Sequence, residues 1–177
     1  MTELTPATEK FILHWGELGT RWGLNRTVAQ IHALLYLSPQ PLPAETIAAL
    51  LSVARSNVST SLRELQAWGI VRVVHVLGDR RDHFESLKDV WELFTIILEE
   101  RKRREIDPTM AVLKDCAAEL AKGGPADAYA LQKVEEMQGF FESIVAFYQE
   151  IRRLPVSALR QAVRLKSKLL QFVGAAS

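Results

Sequence analysis

The stretch from Ile70 to Glu85 constrains the fold most, because it is the one strand-like segment in a chain whose other patterns are helical. Residues 70–76 are rich in β-branched side chains, Gly78 and Asp79 supply a turn, and residues 82–85 supply a returning strand. Two adjacent arginines follow the turn. The segment therefore predicts a β-hairpin with a cationic tip.

Helical patterns precede this hairpin. A Thr-Pro pair at 5–6 predicts the start of a first helix that ends near Gly23, and Asn25 is suited to cap a second one. After a proline-rich loop at 38–43, a short helix is predicted over 44–51 and a longer one over 55–68, which Gly69 ends. Two short helices joined by a tight turn and followed by a hairpin are the outline of a winged helix-turn-helix.

The helix over 55–68 has a polar face suited to the major groove of DNA. Val58, Leu62 and Leu65 form its apolar face, so the opposite face and its flanks carry short hydrogen-bonding side chains and arginine. Arginines at the hairpin tip suit phosphates and the narrow minor groove. We therefore predict DNA contacts from Arg55, Ser56, Asn57, Ser59, Thr60, Arg63, Arg80 and Arg81.

Charge is consistent with this prediction only locally. The whole chain has 22 basic and 21 acidic residues, a net charge of +1, which does not by itself indicate a nucleic-acid binder. Residues 52–81 carry five arginines against Glu64 and Asp79, a net charge of +3. The basic charge is therefore concentrated in the predicted DNA-binding segment.

The C-terminal half predicts further helices. Ser86 and Asp89 have the spacing of a capping box, Asp107-Pro108 forces a kink or restart, and residues 123–125 break the pattern. A last helix is predicted from Pro155 to near Val173. A heptad-like apolar stripe between 130 and 151 predicts a homodimer seam formed by Val134, Met137, Phe141, Ile144, Tyr148 and Ile151.

These patterns predict a mostly α fold with three parts. Residues 1–23 form an N-terminal helix of the dimer body, and residues 24–86 form the winged helix-turn-helix head with one β-hairpin. Residues 87–177 form a helical dimerisation region that is also the candidate effector region.

Other functional classes lack their sequence signals. The sequence has no Cys/His cluster with zinc-ligand spacing, no glycine-rich phosphate loop and no Ser-His-Asp arrangement, so we expect no metal, no cofactor and no enzyme activity. The one cysteine, Cys116, is expected at an inward helical position as a small packed side chain rather than a redox switch. A polar N-terminus, a single cysteine and no membrane-length apolar run predict a cytoplasmic protein.

Four segments, "NRTVAQIHALLYLSPQPL", "NVSTSLRELQAWGIV", "GDRRDHFES" and "RKRREIDP", resemble the GbsR subgroup of the MarR-type transcriptional regulators. The resemblance implies a dimeric winged-helix repressor of the kind that controls osmoprotectant genes, and some members of the subgroup respond to choline. The sequence departs from the subgroup at three places: Ser52 and Ala54 replace a common glycine and serine, Asn25 replaces a proline, and His83 replaces an aromatic residue.

The resemblance also implies a small effector, such as a quaternary ammonium osmoprotectant or its precursor. Cation–π attraction suits aromatic side chains to such a ligand, and the candidate cage residues are Trp15, Trp22, Trp91 and Phe94. Aromatic residues at helical spacing also fit a core or a dimer seam.

The prediction is therefore a homodimeric repressor that binds a pseudo-palindromic operator in duplex DNA. Two alternatives remain: a winged-helix module for protein interaction or assembly that binds no DNA, and a winged helix that binds RNA.

Overall fold

The computed structural model describes residues 4–155, 157–158 and 160–161, and the chain divides into two compact units, Met1–Ile96 and Ile97–Ser177. Most of the helix predicted from Pro155 to Val173 therefore lies outside the described residues. A fold that is mostly helical and carries a winged helix-turn-helix confirms the predicted class.

Two helices begin the first unit, α1 (Pro6–Arg21) and α2 (Arg26–Leu37). Both start at the predicted caps, because Thr5 accepts the backbone N–H of Thr8 and Asn25 accepts that of Thr27. Helix α1 packs closely on α2, since a Cβ built on Gly19 would lie 2.5 Å from that of Ala29. The absence of a side chain at Gly19 therefore allows this close approach.

Helix α2 is the centre of the first unit and contacts α1, the helices that follow and the sheet. Ile31, Leu34 and Leu35 are almost completely buried. Next come the two-residue strand β1 (Leu42–Pro43), helix α3 (Ala44–Leu51) and helix α4 (Arg55–Ala67). Burying the apolar sides of α2, α3 and α4 together forms the core of the head.

The predicted hairpin is present as β2 (Val71–Val74) and β3 (His83–Ser86), which pair antiparallel. The expectation of a single hairpin is incomplete, because β1 adds a third strand to the other edge of β3, with Leu42 opposite Phe84 and Pro43 opposite His83. Two residues are too few to show strand periodicity. Proline also lacks the N–H of a central strand, although an edge position tolerates it.

Helix α5 (Val90–Arg101) begins later than the predicted capping box at Ser86. Ser86 is instead the last residue of β3, and Asp89 caps the helix by accepting the backbone N–H groups of Trp91 and Glu92 at 2.8 and 3.3 Å. Strand pairing through Ser86 moves the start of the helix towards the C-terminus.

The second unit contains the end of α5, a π-helical turn (Lys102–Ile106), α6 (Asp107–Leu120), a 3₁₀ turn (Pro125–Asp127) and α7 (Ala128–Arg153). The π turn ends two residues before Pro108, whose missing N–H cannot continue the α-helical hydrogen bonding. Helices α6 and α7 pack on each other, yet neither has a buried residue in the single chain.

Candidate nucleic-acid interface

Helix α4 presents a polar face to solvent, as its periodicity predicts. Val58, Leu62 and Leu65 are buried in the head, with exposed fractions of 2% or less. On the opposite side Ser56, Asn57, Thr60 and Arg63 are exposed, and Ser59 is half-buried on the flank. Arg63 reaches back one turn, where its guanidinium donates to the Thr60 hydroxyl at 3.3 Å.

The turn into α4 is held by the backbone rather than by a side-chain cap. Ser52 ends α3 in the left-handed conformation, with φ of 53°. Glycine adopts this conformation without steric cost, which explains the glycine common in the subgroup. Ala54 at the N-cap makes no side-chain hydrogen bond, so the first N–H groups of α4 keep their capacity to bind an acceptor.

Arg55 at the start of α4 is already paired within the head. Its Nε lies 3.0 Å from the Glu45 carboxylate on α3, and a terminal nitrogen donates to the Ser59 hydroxyl. A backbone hydrogen bond at Glu45, followed by the bond from Arg55, lowers the pKa of Glu45. The structure therefore assigns Arg55 a contact that joins the two helices of the motif, which sequence reasoning did not anticipate.

The turn between β2 and β3 places the two predicted arginines in different surroundings. Gly78 has φ of 85°, a conformation that glycine permits. Asp79 accepts from the backbone N–H of Arg81 at 3.0 Å and from its guanidinium at 2.5 to 3.1 Å. Hydrogen bonds from Arg81 hold the pKa of Asp79 well below its ordinary value. Arg80 is exposed and makes no ion pair within the described part of the chain.

His83 joins the tip to the sheet, and sequence reasoning missed this role. Its side chain is 8% exposed, its Nδ1 lies 3.0 Å from the Arg81 carbonyl oxygen, and its Nε2 lies 3.5 Å from an Asp79 carboxylate oxygen. The available signal was its departure from the aromatic residue of the subgroup. Across the hairpin, Arg72 and Glu85 form a second pair at 2.6 Å.

The aromatic residues predicted for an effector cage differ in exposure. Trp15 stacks on Phe11 at 5.4 Å and donates its indole N–H to His32 at 3.2 Å, so its face and its edge already have partners. Trp22 and Phe94 are 45% and 51% exposed, and Trp91 is half-buried. Among the described aromatic contacts, those of Trp15 are with Phe11 and His32 rather than with the other predicted cage residues.

The predicted dimer stripe on α7 divides into two sets. Val134, Phe141, Tyr148 and Ile151 are half-buried within the single chain. Tyr148 donates to Glu99 at 2.6 Å, and burial followed by this bond raises its pKa to about 12.

The second set of stripe residues faces solvent. Met137 and Ile144 are 53% and 39% exposed, and they lie beside Phe140 and Phe147, which are 62% and 69% exposed. This continuous apolar surface on α7 has no partner within the described part of the second unit.

Three further observations concern the other predicted sites. Cys116 is exposed on α6 rather than inward. The half-buried residues near it on the same helix are Leu113, Ala117 and Leu120 instead. Among the described residues, no group of three or more His, Cys, Asp or Glu side chains could hold a metal ion. No helix within the same residues is long and apolar enough to cross a membrane.

Comparison with known proteins shows which family part of the chain matches. The model of the MarR family matches residues 22–82, which contain α2, the helix-turn-helix, strand β2 and the turn that precedes β3. The HTH-type transcriptional repressor GbsR of Bacillus subtilis strain 168 is 22% identical over 139 residues, 77% of each chain.

A solved structure shows the same fold. The crystal structure of a transcriptional regulator with 20% sequence identity covers 88% of this chain and 99% of its own, with a TM-score of 0.65. The matched family model, the relative and the shared fold agree with one another. Residues 22–82 therefore match the MarR family, and most of the chain is similar to the GbsR repressor.

Proposed function

We propose that this protein is a homodimeric repressor that binds a pseudo-palindromic operator in duplex DNA, with α4 in the major groove and the hairpin turn at the minor groove. The observation that carries the proposal is the exposed polar face of α4, beside a hairpin whose turn presents arginine. A polar helix face suits base edges in the major groove, and an arginine suits the narrow minor groove. The similarity to a protein named as a repressor supports the direction of regulation.

The face of α4 has side chains suited to base edges. Ser56, Asn57 and Thr60 are short and exposed, so each can donate or accept within a groove without a large loss of conformational freedom. Arg63, one turn further along, reaches a guanine edge or a phosphate. Ser59 and Arg55 lie at the flank of this face. Arg55 would contact a DNA phosphate after breaking its ion pair with Glu45.

The hairpin supplies a contribution that depends little on sequence. Arg80 projects into solvent, whereas Arg81 shares its charge with Asp79. A narrow minor groove has an enhanced negative potential that attracts arginine. We expect Arg80 to contribute a full phosphate contact and Arg81 a weaker one, which replaces its bond to Asp79.

A second copy of the chain is the proposed partner of the second unit. Helices α6 and α7 have no buried residue in the single chain, although Met137, Phe140, Ile144 and Phe147 form an apolar surface on α7. Exposed apolar surfaces of this kind mark interaction sites. A symmetric dimer covers them and provides two copies of α4 for the two halves of the operator.

Repression follows from occupancy, since the bound dimer excludes polymerase from the promoter. The proposed effector is a small cation bound by Trp22, Trp91 and Phe94, since the predicted fourth cage residue, Trp15, is already held by Phe11 and His32. Such a ligand shifts the population between two conformations of the dimer because it binds one of them better. Tryptophan fluorescence during a choline titration tests this assignment, and a flat titration with the dimer contradicts it.

Titration of the dimer with duplex DNA at increasing salt tests the main proposal. A DNA binder loses affinity steeply as salt rises, because counterions are released from the phosphates on binding. Absence of binding at low salt supports the protein-interaction alternative, and preference for structured RNA supports the RNA-binding one. Selection of bound duplexes from a random pool then identifies the operator.

Substitution of Arg63 distinguishes base contact from phosphate contact. Arg63→Ala is expected to cost about 1–3 kcal/mol on the operator if the side chain reads a base. Equal losses on operator and scrambled duplex assign Arg63 to a phosphate, and no loss on either removes it from the interface. Arg153→Ala, which removes an exposed arginine from α7, is the matched control.

A further inference from the structure

The turn of the hairpin carries the most exposed large apolar side chain in the described part of the chain. Leu77 is 104% exposed, so no other residue covers it, and Val73 and Val76 on the same arm of the hairpin are also exposed. An uncovered leucine forgoes hydrophobic stabilisation in the free protein. A partner that buries this side chain recovers that stabilisation.

The local structure does not require leucine at this position. The carbonyl oxygen of Val76 accepts the backbone N–H of Asp79 at 3.1 Å, so residues 76–79 form a β-turn with Leu77 at its second position. Gly78, at the third position, has the positive φ that glycine permits. The second position of such a turn accepts most residues, so a polar side chain would serve the turn equally well. The leucine therefore suits a contact outside the chain.

The turn holds Leu77 in a fixed place. Asp79 accepts the backbone N–H of Arg81 at 3.0 Å, and Nδ1 of the buried His83 lies 3.0 Å from the Arg81 carbonyl oxygen. These contacts join the turn to strand β3. A tip that is already ordered loses little conformational freedom when it enters a partner.

The charges around the turn indicate what kind of partner fits. Arg80 is exposed and makes no ion pair within the described residues. The pKa of Arg81 is raised, first by its hydrogen bond to Asp79 and also by the charge of Glu45, which binds Arg55 at the start of α4. The turn and the start of α4 are therefore neighbours on the first unit. An apolar tip beside arginines complements a nucleic-acid groove, in which phosphates border the bases.

We propose that Leu77 is an apolar wedge that enters the minor groove, partly unstacks one base step and bends the operator. This inference rests on the proposed DNA binding and deepens it. Leucine is among the side chains by which minor-groove proteins separate base steps, while neighbouring cations meet the phosphates. The energy needed to bend a duplex depends on its sequence, so the wedge adds specificity at bases that no side chain reads.

A sequence preference distinguishes the wedge from a purely cationic contact. Pyrimidine–purine steps such as TA unstack easily, whereas A-tracts are stiff and have a narrow groove that attracts arginine. Hydroxyl-radical footprinting of the duplex selected from a random pool locates the step that the turn meets. We expect the wild-type protein to prefer TA over an A-tract at that step severalfold. A preference for the A-tract overturns the proposal.

Bending and unstacking are measured directly on the same duplex. Energy transfer between dyes at its two ends reports the bend, and 2-aminopurine beside the contacted step brightens when it unstacks. We expect the wild type to bend the duplex by at least about 20° and to brighten the probe. Leu77→Ala should lose most of both signals and bind about tenfold less tightly, whereas Leu77→Met should keep them. Equal signals in wild type and Leu77→Ala overturn the proposal.

Substitution of the neighbouring arginine provides the matched control. Burying an apolar side chain releases no counterions, so Leu77→Ala should keep the slope of log K against log salt. Arg80→Ala should make the slope shallower by about one unit for each head and keep most of the bend. A slope that falls in Leu77→Ala as it does in Arg80→Ala overturns the proposal, because the turn then acts only through its charge.

The fold and the assembly of the variant complete the test. Leu77→Ala should match the wild type in thermal unfolding and in sedimentation, because its side chain is uncovered in the single chain. Dissociation of the dimer by this substitution assigns the leucine to a protein contact and overturns the proposal. If the wild type binds no duplex, the proposed function and the wedge both fail. If it binds a duplex that stays straight and stacked, the wedge alone fails.

Discussion

Acidification is expected to destabilise the first unit through one buried histidine. His32 on α2 is 5% exposed; its Nδ1 accepts the indole N–H of Trp15 at 3.2 Å, and its buried Nε2 has no partner among the described atoms. Burial first, and the charge of Lys88 second, lower the pKa of His32 from its ordinary 6.5 to about 4. The folded protein therefore keeps this ring neutral.

The sign and the size of the effect follow from that difference. Above pH 6.5 the ring is neutral in the folded and in the unfolded chain, so the contribution of His32 to stability is constant. Between pH 6.5 and 4 the unfolded chain binds a proton that the folded chain does not, so the free energy of unfolding falls as the pH is lowered. At 1.36 kcal/mol for each pKa unit, the loss at pH 4 is about 3 kcal/mol.

Urea unfolding at several pH values measures this loss. All four tryptophans lie in the first unit, so their fluorescence reports on its unfolding. In His32→Gln the amide oxygen still accepts from Trp15 but does not titrate, and comparison with the wild type cancels the contributions of other groups. The difference in unfolding free energy between the two proteins should change by about 3 kcal/mol from pH 7 to pH 4.

A histidine elsewhere on the surface provides the control. His14→Gln removes an exposed ring of α1 and should leave the pH dependence of unfolding as it is in the wild type. If wild type and His32→Gln lose the same stability on acidification, the neutral buried ring is not the cause, and the argument from burial fails.

Three further predictions concern packing and assembly. Gly19→Ala should lower the melting temperature, with overpacking against Ala29 costing about 1–3 kcal/mol, whereas Gly139→Ala on open surface should not destabilise. Lys88→Met should cost about 1 kcal/mol in urea unfolding, because the ammonium group donates to three carbonyl oxygens at the end of α2. Ile144→Asp should convert the dimer to a folded monomer in sedimentation, and a dimer of unchanged affinity would place the seam elsewhere.

Much of the head could be predicted because its signals are local in sequence. The side chains of Thr5 and Asn25 cap their helices by accepting hydrogen bonds from backbone N–H groups only two or three residues later in the sequence. The buried and exposed faces of α4 follow from helical periodicity, since Val58, Leu62 and Leu65 recur on one side. These features belong to short segments and depend little on the rest of the chain.

Contacts between distant segments could not be predicted in this way. Strand β1 exists because Leu42 and Pro43 meet Phe84 and His83, some 40 residues later in the chain. The ammonium group of Lys88 binds the carbonyl oxygens at the C-terminal end of α2, and this contact forms only after the strands have paired and brought Lys88 close to that end.

The candidate interface shows the same division. The residues of this interface could be identified from the sequence, because a polar helix face and an arginine pair beside a glycine turn are patterns within short segments. The tertiary structure alone decided that Arg55 pairs with Glu45 of α3 and that the ring of His83 is buried beside Asp79, whereas Arg81 and Asp79 are two residues apart in one turn. Periodicity specifies which way a side chain points, whereas its electrostatic partner depends on distances of 3 to 4 Å that exist only when separate elements have packed.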